Sequence, residues 1–533
     1  MGTTKSRRMD DSDSSSFSDD TFPESDYDSV LQHYIRCGHV RIRSSEDPVH
    51  GMGIVMELDA LSVRLGKPNT NVLDESEVSM ITRQSSGLMH KRGQQRPNSI
   101  AAMICARERG LNGSISFSNG DCCKISNSFL PNTNFWVRSF HTKIFCGTYL
   151  NDGNIFLSAS QDRLVRLFDT RNGNFKLIKT ITARDVGWSI LDVAVSPDGN
   201  YMAYSSWCEC LQLCKLWGDT EDQEALLLCP EEKRFCIFSL KFSADGREIL
   251  CGANDGYIYV YDRECNQRAF RITGHDDDVN AVAFADNRSQ ILYSAGDDGV
   301  CKVWDRRTLS ESHPKPVGCL AGHMDGITFI EPRGDGRHLL TNSKDQSIKL
   351  WDMRRFSTKI GLQNTKDAVS IQNWDYRWQK VPKGLRNPKK QLEGDTSIMT
   401  YCGHSVLQTL CRCHFSPAET TGQRYIYTGC AAGRVIIYDV LTGQTVRMLE
   451  GHTNCVRDVA WHPHRPEITS ISWDGTIRLW NYHEDIELSD EEEEEGNSYF
   501  VGKRKRNKPL RRSQRLADQK LKWKKQNESA DQN

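Results

Sequence analysis

A short recurring ending constrains the fold of this chain more than any other feature. In each copy a turn that contains Asp leads into an alternating apolar strand, which closes on an aromatic residue followed by Asp or Asn. Five well-formed copies occupy residues 160–169, 254–262, 297–305, 344–352 and 473–481. Weaker copies lie at 206–215 and at 431–439, where the turn Asp is absent. Self-similarity of this kind indicates a repeat architecture, in which each unit buries its apolar face against its neighbours.

The spacing of the endings predicts the number of units. They fall at residues 169, 215, 262, 305, 352, 439 and 481, so successive intervals are 46, 47, 43, 47, 87 and 42 residues. The long interval leaves two interpretations, an eighth unit or a long insertion at 353–400. This segment is rich in Lys and has few alternating apolar stretches, which is not the pattern of strands. We therefore expect seven units and a basic, Trp-containing insertion at 353–400.

Four units also begin with a Gly-His pair, at 274–275, 322–323, 403–404 and 451–452. Together with the turn Asp, a strand Ser or Thr and the strand Trp, each imidazole can complete one hydrogen-bonded chain that ties the strands of a unit together. Buried His and Asp side chains are tolerated only when they are satisfied in such a way. We therefore interpret these residues as structural and not as catalytic.

These features resemble the WD-repeat family over about residues 140–483. The resemblance implies an all-β fold, a seven-bladed propeller of four-stranded antiparallel sheets around a central channel. The last repeat ends near residue 481 with only three strands, so we expect the segment around 135–145 to donate the closing strand. The predicted organisation is a Ser-rich acidic tail (1–24), helical docking segments and a linker (25–135), the propeller (136–483), and a charged tail (484–533).

Two adjacent repeats end in Trp-Asp-x-Arg, at 304–307 and 351–354. An Arg just beyond the strand end lies at one face of a propeller, where its planar guanidinium can pair with carboxylates or carbonyls of a docked protein. Residues 168–171 depart from the pattern because Phe replaces Trp. The match at 374–377 falls inside the insertion, and we interpret it as a coincidence.

A short amphipathic helix is predicted ahead of the propeller, over 99–111. Ser99 can cap its start, apolar residues occupy 100, 103 and 104, and Gly110 can end it. Anchors at this spacing are typical of a helix that docks in a groove of a partner. Packing on its own propeller is the alternative. A second amphipathic segment, at 25–38, has the same two interpretations.

The tandem Trp-Asp-x-Arg endings and the upstream helix are similar to those of WD-repeat substrate receptors of cullin-4 ubiquitin ligases, over about residues 25–483. The resemblance implies that the damaged-DNA-binding adaptor subunit, and cullin-4 through it, binds this chain. It also implies that the chain presents proteins, stress-response transcription regulators among them, for ubiquitination and proteasomal degradation. Ala101 departs from the Leu of the family's helix. The implied adaptor-binding residues are Asp305, Arg307, Asp352, Arg354, Met103, Ile104, Arg107, Gly110 and Leu111.

Two other classes of function remain as alternatives. The first is a nuclear WD-repeat scaffold that binds histones or ribonucleoproteins without a ligase. The second is an enzyme. The sequence contains no Gly-rich phosphate loop, nucleophile elbow or His-Glu-x-x-His motif, and this argues against an enzyme. Cys411-x-Cys413 and Cys208-x-Cys210 lack the two-residue separation typical of zinc ligands, so we expect no metal and no cofactor.

A substrate surface is expected on the face opposite the Trp-Asp-x-Arg ends. Residues just before each turn Asp tend to point to solvent there, and interface hot spots favour Trp and Arg. The sequence therefore predicts an exposed pair, Trp473 and Arg457, with Lys344 and Asn254 at comparable positions.

Charge is balanced over the whole chain but segregated in its tails. The formal net charge of -1 argues against a protein that coats nucleic acid through a global basic field. An acidic run at 491–495 precedes a basic stretch at 503–525 that suits nuclear import, so we expect both nucleus and cytoplasm. Ser489 matches an acidophilic kinase site, and Gly2 matches a myristoylation pattern.

Nineteen cysteines are scattered along the chain without a secretory leader, which favours a reducing, intracellular compartment. The sequence also contains no apolar run of about 18 residues, so we expect no membrane span.

Overall fold

Seven four-stranded antiparallel sheets make up the fold. The computed structural model describes residues 68–89, 99–110, 116–218, 222–229, 235–385 and 391–484. The chain divides into two units, residues 1–483 and 484–533, and every described sheet lies in the first. Gly2, Leu111, Ser489 and the segment 25–38 lie outside the described residues, so their predicted roles stay predictions.

Each sheet forms one blade, and blades 1–6 use four strands that follow one another in the chain. Blades 1–3 consist of β2 (Ile144–Leu150), β3 (Ile155–Ser160), β4 (Leu164–Asp169) and β5 (Lys176–Thr182); β6 (Asp192–Val195), β7 (Tyr201–Ser205), β8 (Cys210–Lys215) and β9 (Gln223–Leu227); β10 (Ile237–Phe242), β11 (Glu248–Ala253), β12 (Tyr257–Asp262) and β13 (Gln267–Thr273).

Blades 4–6 repeat this order, and blade 7 borrows its outer strand, β1, from the segment ahead of blade 1. Blades 4–7 consist of β14 (Ala281–Phe284), β15 (Ile291–Ala295), β16 (Cys301–Asp305) and β17 (Gly318–Leu320); β18 (Ile327–Pro332), β19 (His338–Ser343), β20 (Ser347–Asp352) and β21 (Met399–Cys402); β22 (Cys413–Phe415), β23 (Tyr425–Cys430), β24 (Arg434–Asp439) and β25 (Thr445–Glu450); β26 (Val456–Trp461), β27 (Ile468–Ser472), β28 (Thr476–Asn481) and β1 (Thr133–Ser139).

Short helices accompany the sheets. Four precede blade 1, one lies between the third and fourth strands of blade 5, and one joins the first two strands of blade 6. They are α1 (Asn71–Asp74), α2 (Glu77–Ser85), α3 (Ile100–Glu108), α4 (Asn119–Ser126), α5 (Lys359–Ser370) and α6 (Ala418–Thr421), with 3-10 turns at Asn151–Gly153 and Arg306–Thr308. No helix in the described ranges is both long and apolar enough to cross a bilayer.

The ring of blades is closed. The first strand of every blade contacts the first strand of the next, including β26 of blade 7 against β2 of blade 1. Strand β1 pairs antiparallel with β28, with Thr133 opposite Asn481 and Ser139 opposite Thr476. The prediction that the segment ahead of the first repeat closes the last blade is therefore confirmed, and so is the seven-bladed fold.

The core lies between neighbouring sheets. Strand residues alternate between the two faces of a blade, and both faces are buried against adjacent blades. Trp304, Trp351 and Trp480, the aromatic residues that close three of the repeats, are fully buried.

Three blades contain the predicted hydrogen-bonded chain. In blade 4, His275 Nδ1 lies 2.9 Å from Asp298, its Nε2 lies 2.7 Å from Ser294 Oγ, and Trp304 Nε1 donates to the same hydroxyl at 2.9 Å. Blades 5 and 7 repeat this arrangement around His323 and His452.

The fourth Gly-His pair differs. His404 bonds to the hydroxyl of Tyr438 at 3.1 Å and to Asn342 at 2.9 Å, because Ala432 stands where the other turns carry Asp. A neighbouring blade, through Asn342, therefore supplies the partner that its own turn lacks.

The long interval is an insertion between the third and fourth strands of blade 5. Its predicted end at residue 400 was two residues too late, because β21 begins at Met399. Helix α5 packs on the turn between the second and third strands of blade 4. Gly299 of that turn has φ of 71°, and a Cβ there would lie 2.7 Å from the Val369 side chain of α5.

We predict that Ser294→Ala lowers the free energy of unfolding by roughly 2–4 kcal/mol, because it leaves buried nitrogens of His275 and Trp304 without a partner. Chemical denaturation of the full chain measures this. Ser312→Ala, on an exposed loop of the same blade, should change it by less than about 0.5 kcal/mol. Equal midpoints for the two variants would show that this chain of hydrogen bonds does not stabilise the blade.

Candidate functional site

The propeller offers two faces. Each third strand runs from a turn to a strand end, so all seven strand ends share one face, which we call the strand-end face. The opposite side carries the turns between second and third strands, and we call it the turn face. The predicted adaptor residues Asp305, Arg307, Asp352 and Arg354 belong to the strand-end face, as the sequence predicted.

Arg307 is held ready on the strand-end face. Its Nε and Nη2 donate to the two oxygens of Asp305 at 2.9 and 2.6 Å, and the same carboxylate accepts the backbone N–H of Arg307. These hydrogen bonds keep the pKa of Asp305 below its usual value. The Arg307 side chain nevertheless stays 69% exposed, so its outer N–H groups face solvent in a fixed orientation.

Arg354 is not equivalent to Arg307, although both belong to Trp-Asp-x-Arg. Arg337 donates to Asp352 at 3.1 and 2.8 Å and takes the position that Arg307 takes on Asp305. Arg354 remains 65% exposed, with its Nη1 3.7 Å from Glu77 of α2. The corresponding residue in blade 4 is Gln290, and this difference is the sequence signal that distinguishes the two motifs.

Arg171, in blade 1, does have the geometry of Arg307. Arg171 donates through Nε and Nη2 to Asp169 at 3.1 and 2.6 Å and is 68% exposed. Sequence reasoning set this repeat aside because Phe168 replaces Trp. The geometry does not need the Trp, since Phe168 is buried in its place, but it does need an Asp that no other arginine occupies.

The predicted upstream helix is present as α3. Ser99 accepts the N–H of Ala102, and Gly110, with φ of 63°, follows the helix end. Met103 and Ala106 are buried, whereas Ile104 is 37% exposed. The Arg107 guanidinium lies 4.7 Å from the centre of the Phe117 ring. One side of the helix thus packs within the chain while Ile104 faces solvent.

Other helices cover part of the strand-end face, which the sequence did not reveal. Leu73 of α1 and Val78 of α2 join the core cluster of blades 5 and 6. Arg333 donates to Thr82 at 3.1 Å, and Ser85 donates to the Gly422 carbonyl at 2.6 Å. The region predicted as docking segments and linker therefore includes helices that pack on blades 5 and 6, beside Arg354.

An aromatic cluster lies on the turn face. The Phe145 ring is 5.3 Å from that of Trp188 and 5.5 Å from that of Trp473, and the Lys143 ammonium lies 4.1 Å from the Trp473 ring. Trp188 is 50% exposed. This solvent-facing indole was not among the predicted substrate residues, because it lies in a loop between blades rather than beside a turn Asp.

The predicted exposed pair of Trp473 and Arg457 is wrong in its exposure. Trp473 is half-buried, and Arg457 is buried beneath Phe145, where its guanidinium donates to the carbonyls of Phe145 and Leu191. An arginine one strand residue inside the channel mouth satisfies backbone carbonyls because water is excluded there.

Lys344 is also buried rather than solvent-facing. Its ammonium bonds to Asp297 at 2.7 and 2.8 Å and lies 4.2 Å from the ring of Tyr376, which the insertion places over it. Asn254 is half-buried and accepts the N–H of Cys236 at 2.8 Å. The burial of Lys344 was not predictable, because the path of the insertion across the turn face is not encoded in the repeat.

A charged cluster crosses the central channel. Arg412 donates to Asp192 of blade 2 at 2.6 Å and to Asp458 of blade 7 at 3.0 Å. His414 lies 3.3 Å from Asp458 and 3.4 Å from Glu331. Burial alone would lower the pKa of His414, but Glu331 and Asp458 outweigh it and raise the pKa to about 9. These charges satisfy one another, which is typical of a structural network.

Within the described ranges, no group of three or more His, Cys, Asp or Glu side chains is arranged to hold an ion. Cys411 contacts Cys455 at 3.9 Å, while His414 is engaged by carboxylates.

The segments that match a known protein family coincide with blades of the propeller. The family WD domain, G-beta repeat matches residues 134–169, 229–262, 266–305, 314–352 and 443–481. The chain is 44% identical over 374 residues to the DDB1- and CUL4-associated factor 11 homolog of Caenorhabditis elegans, covering 68% of this chain and 65% of that protein. It thus spans slightly less than two thirds of that relative.

The matches to two plant proteins cover a larger share of the relative's length. The chain is 38% identical over 440 residues to the LEC14B protein of Lithospermum erythrorhizon, covering 78% of this chain and 90% of that protein. It is 37% identical over 434 residues to the LEC14B homolog of Prunus armeniaca, covering 78% and 89%.

The channel cluster predicts a pH dependence of stability. The pKa of His414 is higher in the folded chain than the ordinary value of about 6.5, so its contribution is complete below about pH 6.5 and is lost as pH rises through 9. The free energy of unfolding should fall by on the order of 2–3 kcal/mol between these limits. Denaturation at several pH values measures it. His414→Gln should flatten the profile, His464→Gln should not, and a flat wild-type profile would contradict the assigned network.

Proposed function

We propose that this chain, which belongs to the WD-repeat family of the DDB1- and CUL4-associated factor 11 homologs, is a non-catalytic substrate receptor of a cullin-4 ubiquitin ligase. The names of its nematode relatives associate those proteins with DDB1 and CUL4. The observation that carries the proposal is the Arg307 guanidinium, which Asp305 fixes in an exposed position on the strand-end face.

Arg307 suits the docking of an adaptor because its conformation is set before binding. Ordering a long side chain at an interface costs about 0.5–1.5 kcal/mol, and the two hydrogen bonds to Asp305 meet that cost in the free chain. The unused guanidinium N–H groups can donate to carbonyls or carboxylates of the adaptor.

The strand-end face of blades 4 and 5 forms the rest of the proposed adaptor surface. Arg354 contributes less than Arg307, because Glu77 already lies near its charge. Helix α3 adds Ile104, which is exposed, and Arg107. Contact through Met103 would require the helix to leave its packing in the chain. Gly110 and Leu111 follow in the same segment.

Substrates would dock on the turn face, away from the adaptor. Trp188 and the half-buried Trp473 form an aromatic surface at the mouth of the channel, and such residues dominate the energetics of many interfaces. By its resemblance, the chain would receive stress-response transcription regulators and pass them to ubiquitination and degradation, in the nucleus and the cytoplasm. We propose no direct contact with nucleic acid.

Variants on the two faces should have separate effects, on adaptor binding and on substrate proteins. Arg307→Ala should weaken binding of purified DDB1 at least about tenfold, as expected for an interface hot spot, and Arg354→Ala should weaken it less. Trp188→Ser should leave the affinity for DDB1 unchanged. It should raise the abundance of the substrate proteins, which are the proteins that accumulate when the chain is lost. Calorimetric titration with DDB1 and quantitative proteomics of cells that carry each variant measure the two effects.

Arg377→Ala is the matched control, because Arg377 forms the same pair of hydrogen bonds with Asp375 within the insertion, on the turn face. It should leave DDB1 affinity unchanged. Equal affinity of the wild type and the Arg307→Ala, Arg354→Ala double variant would refute the adaptor role and favour a scaffold without a ligase.

A further inference from the structure

Two cysteines meet on the turn face of blade 2. Cys208 lies in the turn between β7 and β8, Cys210 begins β8, and their Sγ atoms are 3.3 Å apart. Cys208 is half-buried and Cys210 is buried, and neither is in a disulfide. The neighbouring Trp207 is 43% exposed, so the turn is open to solvent.

The local sequence explains this approach. Where blades 3, 4 and 7 carry Asp-Gly in this turn, blade 2 carries Cys208-Glu209, followed by Cys210. Side chains two residues apart point the same way at a strand start. Gln212 donates to Cys210 Sγ at 3.4 Å and to Asp185 at 2.9 Å, which fixes the inner sulfur.

The two sulfurs lie within hydrogen-bonding distance of each other. Burial, followed by the hydrogen bond from Cys208, raises the pKa of Cys210 to about 12. Cys210 is therefore a thiol rather than a thiolate at neutral pH.

The number of donors limits the ligand. A structural zinc ion takes four ligands, and the described residues bring no third His, Cys, Asp or Glu to this pair. Soft sulfur donors select soft, thiophilic centres. A trivalent arsenic atom that already carries one carbon substituent needs only two sulfurs to complete its coordination.

We propose that Cys208 and Cys210 form a dithiol site for monosubstituted trivalent arsenicals, R–As=O. Two As–S bonds form and the As–O bonds break. The two thiol protons leave with the oxygen as one water molecule, and arsenic stays trivalent, so no oxidant or reductant is needed. This inference does not depend on the proposed ligase role.

Proximity gives the pair its selectivity. After Cys208 reacts, Cys210 closes the ring in an intramolecular step at high effective concentration. The exposed Cys229 and Cys265 have no second sulfur within hydrogen-bonding distance among the described residues. Cys411 and Cys455 lie 3.9 Å apart but are completely buried.

The helical pair Cys122 and Cys123 is the nearest competitor. Cys123 is buried and its Sγ contacts the carbonyls of Ala418 and Glu419, so it is turned away from the exposed Cys122. Cys122→Ser is therefore the matched control.

The test uses the folded full chain and phenylarsine oxide, with intact mass measured after washing with glutathione. One arsenical should be retained by the wild type and by Cys122→Ser, and it should be released by 2,3-dimercaptopropanol. A monothiol cannot compete with a chelate, whereas a dithiol can. Cys208→Ser and Cys210→Ser should each reduce retention at least about tenfold.

Peptide mapping of the wild-type adduct gives an independent result if either serine variant fails to fold. An adduct that spans Cys208 and Cys210 supports the proposal. Complete loss of arsenical to glutathione, undiminished retention by both serine variants, or an adduct mapped to Cys122 and Cys123 would overturn it.

Discussion

The rest of the structure depends on one strand pairing, in which a strand from ahead of blade 1 completes the last blade. Strand β1 pairs with β28, so blade 7 gains its fourth strand and the ring closes between blades 7 and 1. The pairing covers the free edge of β28, the third strand of blade 7, and closure fixes every blade relative to its neighbours. The channel ion pairs from Arg412 to Asp192 and Asp458, which join blades 6, 2 and 7, are possible only in a closed ring. The strand ends and the turns are therefore held rigidly, and each face presents its side chains in a fixed geometry.

The repeat predicted the propeller because each complete copy contains the residues that hydrogen-bond to one another within its blade. A Gly-His pair, a turn Asp, a strand Ser or Thr and a strand Trp meet wherever all four occur, as around His275, His323 and His452. Features outside the repeat were not predictable in this way. Helices α1 and α2 bind blades 5 and 6 through tertiary contacts, and the insertion covers Lys344 because α5 packs on a neighbouring blade.

The candidate site shows the same division at the scale of single side chains. The Trp-Asp-x-Arg ending predicted an arginine at this face, but not that Asp305 fixes its guanidinium; the same pairing occurs at Arg171, which an emphasis on Trp caused us to set aside. Arg354 shares the motif but loses its Asp to Arg337, a residue 17 positions earlier that only strand pairing brings close. Motif letters therefore specify backbone position, whereas the charge that remains available depends on cross-strand neighbours.

The central claim is that an adaptor grips the strand-end face and leaves the turn face open. Hydrogen–deuterium exchange of the full chain with and without purified DDB1 tests this directly, because it reports both faces in one experiment. The account predicts slower exchange at residues 305–309 and 99–110, with unchanged exchange at the turn-face segments 187–189 and 473–475. Protection confined to the turn face, or none at a saturating concentration of DDB1, would contradict it.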